Sequence, residues 1–64
     1  MEYVVVYSFE GPKQLAKRVN AHLRLGWEVH GDLALSESEG EVTWAQALIH
    51  REVEPRYPTA EELQ

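Results

Sequence analysis

No cysteine occurs anywhere in the chain. That excludes a disulfide framework and a thiolate metal site, two common staples of a domain this small. No apolar run approaches the roughly 20 residues a membrane-spanning helix needs. The apolar start, MEYVVVYSF, has an acid at residue 2, no basic n-region and no small-residue cleavage pattern. It is expected to be a strand and not a secretory signal, which makes the cytoplasm the expected location. Basic charge is also scarce. Six Lys and Arg against eleven Asp and Glu leave a net charge of −5, which argues against wholesale phosphate binding and against nucleic acid as a partner. The chain has 64 residues, enough for one domain. A domain of that size buries only about 60% of the surface its unfolded chain exposes. With no disulfide to help, association between copies is the remaining common source of stability.

What is present is a short alternation of strand and helix signals. Residues 2–8, EYVVVYS, are β-branched and aromatic and predict a strand. Its two faces are both apolar, Tyr3, Val5 and Tyr7 on one and Val4 and Val6 on the other, so both are expected to be covered. Pro12 suits a first helical position. Leu15, Val19 and Leu23 then repeat every four residues as an apolar stripe, flanked by Ala16 and His22. Gly26 is placed to end the helix in a left-handed conformation. WEVHGDLALS predicts a second strand, with Gly31 marking a bulge or a close approach. ESEGE reads as a hairpin turn and VTWAQALIHREV as a third strand.

The expected fold is therefore α+β, in the order β-α-β-β. Its three-stranded antiparallel sheet has the last strand in the middle and one helix on one face. Residues 1–54 form the domain and 55–64 a tail, which is either one helical turn capped by Thr59 or a frayed end.

The third strand divides into Trp44, Gln46, Leu48 and His50 against Thr43, Ala45, Ala47 and Ile49. The turn alone does not fix the register, and a one-residue slip exchanges the faces. Small residues let a helix lie close to a sheet, so Ala45, Ala47 and Ile49 are expected beneath it. Trp44, Gln46, Leu48 and His50 would then share an uncovered face with Glu28, His30 and Asp32. An exposed apolar patch of that kind marks a partner. Trp44, Gln46, Leu48, His50, His30 and Arg51 are accordingly the candidate contacts.

Several chemistries find little support. Glu28, His30 and Asp32 alternate on one strand face but are too regular and open for a zinc site. His22 is expected to be a packed or edge residue. Ser8, Ser36 and Ser38 lie in or beside turns with no base near them, the carboxylates are turn and tail charges, and FEGPK lacks P-loop spacing. No catalytic residue, metal or cofactor is expected. The basic residues Lys13, Lys17, Arg18 and Arg24 gather on the helix and could meet an acidic partner or a nucleic-acid backbone, though no interleaved aromatics form a stacking platform.

Across residues 2–51 the pattern formed by Tyr3, Leu15, Val19, Asn20, Gly26, Trp27, Gly31, Gln46 and Ala47 resembles a family of short bacterial and phage domains of unknown function. The resemblance implies the same β-α-β-β order and a bacterial or phage source. It transfers no reaction and no catalytic residue. The leading functional expectation is a non-enzymatic homo-oligomeric interaction or accessory module, dimeric or higher, associating through the open sheet face or a strand edge. Beside it stand a binder of a nucleotide-like small molecule at a subunit interface, with Trp44 stacking and Gln46 hydrogen bonding, and a binder of acidic partners through the helix.

Overall fold

The computed structural model describes residues 1–63. The elements follow the order β1 (Glu2–Ser8), α1 (Pro12–Leu23), β2 (Glu28–Val29), β3 (Ala34–Ser38) and β4 (Glu41–His50). β4 is the central strand, pairing antiparallel with β1 on one side and with both β2 and β3 on the other. The α+β class and the central last strand match the sequence-based expectation. The sheet has four strands and not three, because the predicted second strand is broken.

The break has a local cause. Val29 lies opposite Leu48 and Ala34 opposite Ala45, so residues 30–33 face only Gln46 and Ala47. Four residues against two cannot continue a ladder, and the segment bulges outward. The buried Gln46 amide fills the gap. Its Nε2 donates to the carbonyls of Gly31 at 3.1 Å, Ala47 at 3.2 Å and, more weakly, His30 at 3.4 Å. The His30 N–H is retained by the Ala47 carbonyl at 2.9 Å. β3 and β4 then join through Glu39 and Gly40, both at positive φ (52° and 81°), the conformation a two-residue hairpin demands.

Between β1 and α1 the chain is held by side chains. The fully buried Ser8 hydroxyl donates to Gln14 Oε1 at 2.6 Å and accepts the Glu10 N–H at 3.1 Å, while the Gln14 amide also meets the Glu10 carboxylate. At its far end α1 stops on two bonds, Gly26 N–H to Leu23 C=O (3.1 Å) and Trp27 N–H to His22 C=O (3.3 Å). This is the Schellman arrangement, with Gly26 at φ +93° as the left-handed residue. The His22 and Trp27 rings meet edge to face at 5.9 Å across it.

The buried stripe of α1 differs from the expected one. Leu15, Ala21 and His22 are buried, Val19 is half-buried and Leu23 is exposed. At about 100° per residue, i+8 lies about 80° from i whereas i+7 lies only about 20° away. His22 therefore takes the inward position that the four-residue repeat assigned to Leu23.

The core consists of Val6, Leu15, Trp27 and Leu48, with Val4, Val19, Leu25 and Trp44 against it. Trp27 is its largest member. His50 stands edge-on to its ring at 5.2 Å, and Tyr57 lies against it at 5.2 Å. The indole N–H donates to the Arg56 carbonyl at 2.9 Å, and Pro55 is buried. The segment expected to be a tail thus closes the core. It ends in a single turn with a reciprocal capping box: the Glu62 N–H meets Thr59 Oγ1 and the Thr59 N–H meets Glu62 Oε1, each at 3.3 Å. Gln64, also part of the predicted tail, lies outside the described residues.

Candidate interaction surface

Register decides which side chains meet the helix. Val4 lies opposite Leu48, Val6 opposite Gln46 and Ser8 opposite Trp44. These even-numbered residues, with His50, face α1. Leu48 is completely buried and Gln46 and His50 nearly so. The expected assignment of faces is reversed. Trp44, Gln46, Leu48 and His50 lie under or beside the helix, and Ala45, Ala47 and Ile49 lie on the uncovered side. The physical reason is volume: the space between helix and sheet has to be filled, and Leu48 and Trp44 fill it where alanine side chains would leave a void.

This correction removes Gln46, Leu48 and His50 as contacts on an open face and as the floor of a ligand pocket there. The Gln46 amide is consumed by the bulge. The His50 ring is consumed by its main-chain partners, Nε2–H donating to Leu25 C=O at 3.0 Å and Nδ1 accepting the Glu52 N–H at 3.1 Å. His22 is similarly occupied, donating from Nδ1 to Arg18 C=O at 2.8 Å. Trp44 is half-buried at the edge of the core.

His30 and Arg51 remain at the surface. The His30 ring meets the Tyr3 ring edge-on at 6.1 Å, and Arg51 Nε pairs with Glu28 at 3.0 Å, both side chains well exposed. Glu28, His30 and Asp32 do not converge: no group of three metal-ligating side chains gathers among the described residues.

The uncovered face is built from β1 and β4. β1 contributes Tyr3, Val5 and Tyr7, which are 61%, 50% and 51% exposed. Directly opposite them on β4 stand Ile49, Ala47 and Ala45. The result is a ridge of large side chains along β1 beside a furrow floored by two alanines. Phe9 extends the ridge, its ring 5.5 Å from that of Tyr7. The β1 and β4 residues at the centre of this face carry no charge, and the His30 ring, from the residue opposite Ala47 on the β2 side, borders the furrow edge-on to Tyr3. The Glu28–Arg51 pair closes one end, and Glu41 stands at the other. The expectation that both apolar faces of β1 are covered holds for Val4 and Val6 and fails for Tyr3, Val5 and Tyr7.

The basic helix face is partly engaged. Arg18 donates from Nη1 to the Tyr7 carbonyl at 2.8 Å. Lys13, Lys17 and Arg18 border an open depression that Glu10, Gln14 and the terminal turn also line, so its charge is mixed. Arg24 lies exposed at the helix end. No helix among the described residues is long and apolar enough to cross a membrane.

Compared with known proteins, the chain matches no family model, no curated protein and no solved structure.

Proposed function

We propose that this chain is a non-enzymatic homo-oligomeric interaction module of the bacterial or phage cytoplasm, whose copies associate through the open sheet face. The observation that carries this reading is the row Tyr3, Val5 and Tyr7, half or more exposed beside Ala45, Ala47 and Ile49, with no helix over it among the described residues. A second copy fits that face for three reasons. A ridge beside a furrow is self-complementary: a two-fold axis parallel to the strands sets each ridge into the other furrow. The centre of the face is uncharged on a chain of net charge −5, so contact does not press acids together. The molecule measures 38 by 24 Å along its two longer axes, large enough to carry the roughly 800 Å2 per partner of a standard interface.

Sedimentation velocity over a concentration series tests the proposal. The wild type is expected to exceed the mass of one chain. Ala47→Glu places a charge in the furrow and is expected to halve the wild-type mass while leaving the far-UV spectrum unchanged. A wild type that stays monomeric at millimolar concentration, or an Ala47→Glu variant that associates as the wild type does, overturns it.

A further inference from the structure

The free edge of β1 is a second surface, distinct from the open face. The Ala47 carbonyl points toward β2, where it accepts the His30 N–H. Val5, opposite Ala47, therefore turns its own N–H and C=O away from β4. Tyr3 and Tyr7 do the same, and the Arg18 guanidinium on the Tyr7 carbonyl marks that outward direction. Among the described residues this is the one hydrogen bond that reaches the outward groups of Tyr3, Val5 and Tyr7.

Exposed edges are normally blunted by lysine, proline, a bulge or a covering element. From Tyr3 to Tyr7 this edge has none of the first three. Its sequence, YVVVY, reads the same in both directions about Val5.

We propose that a second copy of this chain adds its β1 antiparallel to this edge, across a two-fold axis at Val5, joining the two sheets into one of eight strands. The palindrome makes every pairing favourable in both copies. Val5 meets Val5, and Tyr3 of each copy meets Tyr7 of the other on the open-face side. The three pairs exchange about six main-chain hydrogen bonds. On the helix side the incoming Val4 and Val6 meet a shallow groove of about 210 Å3 that Val4, Val6, His22 and Leu63 help to line. Residues 3–7 themselves carry no charge, and the Arg18 guanidinium, which lines the same groove, stands at the Tyr7 end of the contact in each copy. This inference rests on the proposed self-association for its choice of occupant but uses different atoms.

The test reads those atoms. Val5→Pro removes an outward N–H and leaves the β1–β4 ladder intact, because that N–H is not part of it. Val5→Thr keeps the shape and the N–H and serves as the control. Val5→Pro is expected to halve the wild-type mass in sedimentation, and Val5→Thr to leave it unchanged. In the wild type, hydrogen exchange at the Tyr3, Val5 and Tyr7 amides is expected to slow at least tenfold between micromolar and millimolar concentration. This second measurement decides the matter if the proline variant fails to fold. Concentration-independent exchange at these three amides overturns edge pairing, whatever Ala47→Glu does. Slowed exchange together with full association of Ala47→Glu establishes the edge and overturns the open face.

Discussion

Gly26 leaves the space that the His50 ring occupies: a Cβ placed on Gly26 would stand 2.8 Å from His50 Nε2. That nitrogen carries the hydrogen given to the Leu25 carbonyl. One glycine therefore ends the helix and leaves room for the ring that ties the helix end to the last strand.

Gly26→Ala is expected to be among the most damaging single substitutions. The left-handed φ of +93° costs an alanine about 1–2 kcal/mol. Displacing the His50 ring loses a further hydrogen bond, about 1 kcal/mol. Urea denaturation should show a loss of about 2–3 kcal/mol, a large part of what a chain this short holds in reserve.

Truncation after Glu54 should destabilise the remainder. It removes the buried Pro55, the Arg56 carbonyl that accepts the indole N–H, and the Tyr57 ring. A loss of about 2–4 kcal/mol is expected. Thermal denaturation should show a midpoint at least about 10 °C lower, and the Trp27 emission should shift to the red.

Gln46→Leu retains volume but deletes the donor that the bulge needs. The Gly31 and His30 carbonyls lose their side-chain partner. A cost of about 1–3 kcal/mol follows, and exchange of the His30 amide should accelerate more than that of amides in the β1–β4 ladder.

Arg18→Ala should strengthen self-association if the β1 edge pairs. It frees the Tyr7 carbonyl, which two copies present to each other. A dissociation constant roughly tenfold lower is expected, the equivalent of about 1.4 kcal/mol. Association through the open face alone leaves the constant unchanged, so sedimentation equilibrium separates the two.

Local signals in the sequence carried the element order. β-branched residues marked β1, Pro12 marked the start of α1, and Gly26 marked its end. Side-chain alternation could not choose a face for β4, because both of its alternating sets and both faces of β1 contain apolar residues. The choice was made by volume and by Gln46, whose amide is bound within the bulge. The hold of the last residues on the core was not legible either. It runs through the main-chain carbonyl of Arg56, which no side-chain pattern advertises. The open face was foreseen as a feature but placed on the wrong residues, for the reason that register is a long-range property.

The bulge at residues 30–33 has a consequence for how this chain tolerates changes of length. It exceeds the opposing segment by an even number of residues, so side-chain parity survives the interruption: Val29 and Leu35 both fall on the helix side, opposite Leu48 and Trp44. Losing two residues there would shorten the protrusion and leave every later side chain on its own face. Losing or gaining one would turn Leu35 outward and Ala34 inward along the whole of β3. Insertions and deletions at this point are thus counted in twos.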